Sequence, residues 1–344
     1  MRITTRQTAA SALAVAAAIT LAACSAPAEE APSTDGDDRE RVSLTVGYID
    51  TSINGVGVIV TANELGLWEE AGIDVELIPF TNGPTQIQAM AAGSLDIGYI
   101  GGGAMWLPMS GQATVIVPNE STYGDSLIAS PASGATSPED LAGLRVGVPD
   151  GGSGEMILTL ALESAGLTMD DIERVPLDPP NVVSAFVAGQ IDVAAIFSPL
   201  SDQIFENVPD AEVIANNRDF PETAFVGGWV ASNQAVDDNP EAVSRFLEVW
   251  AQVNDYRIEN TEQVVEWASA ESGTPVEGLQ GQADNLEWWS SEQILADNES
   301  GLTVERFVAL QDLFLELGRL DAPGDPDRFV NTQLFGDAME ALNR

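Results

Sequence analysis

Two six-residue stretches decide the reading of this chain: Ala92-Gly93-Ser94-Leu95-Asp96-Ile97 and Ala188-Gly189-Gln190-Ile191-Asp192-Val193. Each follows an apolar run of helical character (86–91 and 182–187) and leads into a short strand. Glycine suits the end of the helix, and the aspartate opens the next strand. Helix–glycine–strand turns occur in any protein that alternates helices and strands. Here the two copies fall in different halves of the chain, which points to two α/β lobes. Strand-like runs at 42–49, 74–79, 96–100 and 114–117 alternate with helical ones, the sequence form of a largely parallel sheet. Roughly 300 residues of such pattern exceed what one core comfortably holds.

Working outward, a second lobe is expected over 124–232. Ser137-Pro138-Glu139-Asp140 reads as a helix start, with serine as cap and proline in the first turn. A strand at 144–148, a helix at 155–165, a strand at 174–177 and the second repeat follow, and 225–231 reads as the returning strand. Beyond Pro240 the runs 241–258, 261–272 and 304–317 show apolar spacing near 3.6. These helices are expected to pack back on the first lobe, which would then comprise 42–123 and 233–344.

At the amino terminus, Arg2 and Arg6 precede a short apolar stretch without acids, 9–20, which ends in Leu21-Ala22-Ala23-Cys24. This is the layout of an export signal, too short to span a membrane as a helix. Its end resembles a bacterial lipobox, so residues 1–23 read as a lipoprotein signal peptide and Cys24 as the lipidated first residue. The protein would then be lipid-anchored on the extracellular face of the cytoplasmic membrane. Residues 24–41, rich in Ala, Pro, Glu, Asp, Ser and Thr, read as a disordered tether.

The composition removes most catalytic chemistries. The formal net charge is −41, there is no histidine, and all 13 basic residues are arginine. Such acidity excludes nucleic acid and bare anionic lipid as partners, and its self-repulsion calls for screening salt. Without histidine there is no Ser-His-Asp triad and no imidazole metal ligand; without lysine there is no Schiff base and no P-loop lysine. One cysteine allows no disulfide and no thiolate cluster. Carboxylate-only hydrolysis survives this filter.

Further motifs are collinear with a known family. Leu44-Thr45-Val46-Gly47-Tyr48 is followed by Glu64-Leu65-Gly66-Leu67-Trp68-Glu69-Glu70-Ala71-Gly72-Ile73-Asp74-Val75. Ala89 to Gly98 and the triple glycine at 101–103 come next, then 137–148 and Leu177-Asp178-Pro179-Pro180. Over roughly 42–320 the chain resembles the solute-binding proteins of nitrate, taurine and alkanesulfonate ABC importers. The resemblance implies a type II periplasmic-binding-protein fold, with two α/β lobes joined by two crossovers and ligand held in the cleft. It also implies a permease and an ATPase as partners, a monomer, and no cofactor or metal. A fungal thiamine-pyrimidine synthase is related to that family. It depends on a lysine, a histidine and a cysteine-rich iron site, none of which this chain has.

In such a fold the cleft is lined where strands run into helix amino termini. Three glycine-bearing junctions qualify: Thr81-Asn82-Gly83-Pro84-Thr85, Gly101-Gly102-Gly103 and Gly151-Gly152-Ser153-Gly154. Their N–H groups, with the hydroxyls of Thr81, Thr85 and Ser153, would hold an oxyanion without lysine or histidine. Asp125, in Tyr123-Gly124-Asp125 at the first crossover, and Asp50 after the first strand are candidates to pair with a ligand ammonium group. Tyr48, Trp106, Phe197 and Trp229 are candidate walls, Trp229 because glycines 227 and 228 precede it. The ligand expected is a small organosulfonate or amino-sulfonate such as taurine. The alternatives are a thiamine pyrimidine precursor or other heteroaromatic, nitrate, a carboxylate-based hydrolase, or a signalling or adhesion lipoprotein with a degenerate cleft.

Overall fold

A computed structural model describes residues 40–220 and 225–342 of the chain. The signal-peptide and lipidation readings, Cys24 included, and nearly all of the tether lie outside the described residues. Eleven strands are described: β1 (Val42–Ile49), β2 (Ile73–Phe80), β3 (Ile97–Ile100), β4 (Thr114–Thr122), β5 (Asp125–Ala129), β6 (Arg145–Val148), β7 (Glu173–Pro176), β8 (Val193–Phe197), β9 (Glu212–Asn216), β10 (Val226–Ala231) and β11 (Leu286–Trp288). They form a six-stranded sheet ordered β11-β4-β10-β3-β1-β2 and a five-stranded sheet ordered β7-β6-β8-β5-β9. The chain passes from the first sheet to the second between Thr122 and Asp125, and returns between Asn216 and Val226.

The two repeats do the same work in the two sheets. Asp96 accepts the Thr45 backbone N–H (2.8 Å) and hydroxyl (2.7 Å), tying β3 to β1. Asp192 accepts the Arg145 backbone N–H (3.0 Å) and its Nε (2.9 Å) and Nη2 (2.7 Å), tying β8 to β6. Gly93 and Gly189 sit at φ 71° and 67°, the left-handed turn that releases the chain from each helix into its strand.

Three expectations are corrected. The sheets are mixed rather than largely parallel: among the described residues, β1–β2, β1–β3, β6–β7 and β6–β8 are parallel, whereas β5, β10 and β11 pair antiparallel with their neighbours. β5 and β10 are the strands that follow the two crossings between sheets, and each runs against the strands it joins. The turn at 138–141 is a four-residue 3-10 segment, not a longer helix. Strand β4 runs on to Thr122, five residues past its apolar part, because Asn119, Glu120 and Ser121 are buried against neighbouring strands.

The main apolar core runs from the first sheet into one face of the second, taking in Leu127, Val146 and Ile157; Ile128, Val182, Phe186 and Ile196 form a smaller core on that sheet's other face. Leu127 and Ile128 divide between the two because successive side chains of a strand point to opposite faces. Helix 240–259 packs on β1 and on helix 56–64, burying Phe246, Trp250 and Arg257. No helix among the described residues is long and apolar enough to cross a membrane.

Candidate functional site

The two sheets face each other across a cavity of about 90 Å³. Its walls come from the carboxyl ends of parallel strands. Ile49 closes β1, Gly101 and Gly102 follow β3, Pro149 and Asp150 follow β6, and Phe197 closes β8 with Ser198 after it. This is where open α/β sheets place their ligands.

The halves are drawn together around it. The Trp106 indole donates to the Gly151 carbonyl (3.3 Å). A Cβ on Gly103 would overlap the backbone of Gly152 and Ser153, so the two glycine turns touch with no side chain between them. Arg319 pairs with Glu155 and lies over the Trp106 ring, and Arg174 pairs with both Asp150 and Glu155.

Of the residues singled out in the sequence, Asn82, Gly83, Gly102, Asp125, Gly152, Ser153 and Phe197 line the cavity. Gly103 and Trp106 instead form the contact between the halves. Tyr48 and Asp50 flank the wall without lining it; Ile49, Ser52 and Asn54 do so in their place. The Thr85 hydroxyl is spent on the Asn82 carbonyl (3.0 Å), and Thr81 is exposed. Tyr123 points to the surface, its ring covered by Arg218 at 5.1 Å. Trp229 lies in the core: it is fully buried against Tyr99 and Phe246, and its Nε1 donates to Asn119. The glycines before it make room for strand β4 and Glu120, not for a ligand.

Asp125 is a buried acid on the wall. It is 1% exposed. Its backbone N–H donates to Asn217 Oδ1 (2.6 Å), Asn217 Nδ2 reaches back to Oδ2 (3.3 Å), and Oδ1 has no partner. Burial pushes its carboxyl up to about 6, with Ser153 and Asn217 pulling the other way. Among the described residues no arginine lines the wall: Arg174, Arg218, Arg257 and Arg319 are each engaged elsewhere.

Two helix amino termini reach the cavity. Helix 83–91 is capped by Asn82, which accepts the Thr85 N–H (3.0 Å), and Pro84 has none to give. Helix 153–164 begins at Gly152 with no side-chain cap. The third expected junction does not enter a long helix: a 3-10 turn at 102–104 leads to a four-residue helix at 106–109.

Sequence reasoning missed Tyr99, Ser52, Asn54, Thr122, Gln282 and Leu286 on the wall. Gln282 comes from helix 276–284, more than 200 residues after the loop it braces, where it accepts the Ile53 N–H (2.9 Å) and donates to the Thr51 carbonyl (2.9 Å). No local signal marks such a residue.

The family model described as "NMT1/THI5 like" matches residues 54–264. The chain belongs to this family. A Brucella abortus relative, whose name gives a binding protein without a ligand, is 39% identical over 297 residues, covering 86% of this chain and 92% of its own. The taurine-binding periplasmic protein of Escherichia coli is 26% identical over 210 residues, 60% of this chain and 64% of that one. The alkanesulfonate-binding protein of Xanthomonas axonopodis, solved with MOPS bound, superposes with a TM-score of 0.67 at 21% identity. It covers 86% of this chain and 99% of that one. These three relatives are binding proteins by name, and the α/β fold of the one solved with MOPS is shared by this chain.

Proposed function

We propose that this NMT1/THI5-like protein captures a small amino-sulfonate of the taurine type between its two halves and delivers it to the permease and ATPase of an ABC importer. It is not an enzyme in this reading. It is a monomer, exported and held on the outer face of the membrane through lipidated Cys24. The observation that carries the ligand class is the buried Asp125 carboxylate, with one oxygen unpartnered in a cavity that no arginine among the described residues lines. A ligand ammonium group satisfies it. The sulfonate then takes the N–H group of Ser153, at the uncapped helix end, and the hydroxyl of Thr122. The taurine-binding relative from Escherichia coli supports the same class.

Nitrate would leave Asp125 facing an anion. A heteroaromatic would stack on Phe197 and Tyr99 alone, since Tyr48, Trp106 and Trp229 are not on the wall. A carboxylate hydrolase needs a second free acid, and the other acid on the wall, Asp150, is paired with Arg174. Titration calorimetry of the purified protein with taurine, ethanesulfonate, nitrate and an aminopyrimidine tests the reading. Taurine should bind about 10–100-fold tighter than ethanesulfonate, the value of one hydrogen bond to a charged group, and Asp125→Asn should erase the difference. Equal binding of the two sulfonates, or tighter binding of nitrate or the pyrimidine, overturns it.

A further inference from the structure

Behind the cavity wall a series of buried polar groups runs from Arg257 to Tyr99. Arg257 is fully buried, and its Nη2 donates to Asn119 Oδ1 (2.8 Å) and to Asn254 Oδ1 (2.7 Å). Trp229 Nε1 donates to the same Asn119 oxygen (3.3 Å). A guanidinium and an indole can only donate, so the orientation of the Asn119 amide follows. Its Nδ2 must face the other way, where it meets Glu120 Oε2 and Asn54 Oδ1 (3.1 Å). Glu120 therefore accepts on that side. On its other oxygen, Oε1, it accepts the Tyr99 hydroxyl at 2.7 Å. The phenol proton thus points away from the cavity, and the Tyr99 oxygen, which lines it, is left as an acceptor that the Asn54 and Ser52 side chains on the same wall also approach. The carboxylate has a built seat: a Cβ on Gly227 of β10 would overlap it.

We infer that Glu120, which does not line the cavity itself, is a positioning residue for the ligand's cationic group. By holding the Tyr99 proton it makes Tyr99 a second acceptor in the cavity that contains Asp125, and so selects a ligand with several N–H donors at one end. The inference rests on the amine-bearing ligand proposed above. Electrostatics agree with it. Burial raises the Glu120 carboxyl to about 7, opposed by Tyr99, Asn119 and the Arg257 charge and reinforced by Asp125. Burial, followed by the charge of Glu120, holds the Tyr99 hydroxyl well above the usual phenol range, while Asn54 and Ser52 beside it act the other way. A ligand ammonium arriving between Asp125 and Tyr99 offsets the repulsion between the two carboxylates.

Two measurements test this. Carboxyl carbon NMR of the ligand-free protein, with Glu120 assigned from Glu120→Gln, should show a midpoint near 7 that moves higher in Tyr99→Phe, because the carboxylate has lost a donor. An unchanged midpoint overturns the role of Glu120 whatever the ligand is. In Glu120→Gln the amide must turn its oxygen to the Asn119 N–H and its nitrogen to Tyr99, which reverses the phenol into a donor. Taurine affinity should then fall about tenfold, one charge-assisted hydrogen bond, with ethanesulfonate unchanged or tighter. Glu120→Gln with Tyr99→Phe should bind taurine no worse than Tyr99→Phe alone, since Glu120 acts through Tyr99. Additive losses, or loss of both sulfonates in a Glu120→Gln protein whose melting is unchanged, overturn the inference. Equal binding of the two sulfonates by the unaltered protein defeats the amino-sulfonate reading instead, and the NMR midpoint separates the two failures.

Discussion

The helices that start at Gly83 and Ser153 reach the same cavity from opposite sheets, each straight after a strand, yet they offer it different things. The first is closed by its own sequence: Asn82 takes the Thr85 N–H, and Pro84 carries none. The second starts at Gly152 without a side-chain cap, and the Ser153 and Gly154 N–H groups have no protein partner among the described residues. Equivalent positions in the fold are therefore not equivalent as anion sites. The capped helix supplies shape, and the uncapped one supplies donors to an anionic group.

The contact between the two turns is the place to break this comparison hardest. Gly103→Ala puts a Cβ into the backbone of Gly152 and Ser153, which cannot step aside without moving a whole sheet. Ligand affinity should be lost beyond about 100-fold, because a clash against immovable backbone prevents closure, and small-angle scattering should report a larger radius with and without ligand. An unchanged radius would mean that the halves do not close on this contact.

Next in size is pH. The folded protein holds the Asp125 proton up to about 6, above its ordinary 3.8. Affinity for an ammonium-bearing ligand should therefore fall as pH drops through 6, by about tenfold per pH unit once the carboxyl is protonated. For the unliganded fold the sign is opposite. A raised carboxyl binds more protons folded than unfolded, so stability is lost as pH rises through the window from 3.8 to about 6. Asp125→Asn should melt higher than the unaltered protein at pH 8 without ligand, and calorimetric melts at pH 4 and pH 8 check it.

Smaller effects separate the two helices. Asn82→Ala should cost about 1 kcal/mol of stability as a lost cap while leaving sulfonate affinity intact or improved, since the Thr85 N–H is freed. Gly152→Ser installs the cap that the other helix lacks, in a position with open space around the new Cβ. It should change stability by a few tenths of a kcal/mol and weaken sulfonate binding roughly two- to five-fold, the attraction of one helix end for an anion. Melting and calorimetry on both variants show whether the roles are divided as described.

What was legible in the sequence follows from how local each signal is. The repeats at 92–97 and 188–193 announced their turns, because glycine at a left-handed position and aspartate at a strand start are consequences of backbone geometry. The position of Asp125 on the cavity wall was legible from its place at a crossover. Trp229 was misread, since a glycine pair before an aromatic signals close approach without saying of what, and here Glu120 and β4 fill the space. Glu120 itself escaped notice as one of 54 acidic residues. Its seat depends on Tyr99, Gly227 and Arg257 arriving from three other segments, and no window of sequence contains them together. The polar end of β4 was lost for the same reason: its burial is created by β10, about a hundred residues downstream.

That last pairing has a temporal side. β10 lies between β3 and β4 in the middle of the first sheet, but it is made only after the whole second sheet. A nascent chain ending near Thr122 holds two halves of a sheet with a gap between them. At about 5–20 residues per second the missing strand is some 5–20 s away. This ordering is a built-in delay: the sheet that is begun first is the one that cannot finish early.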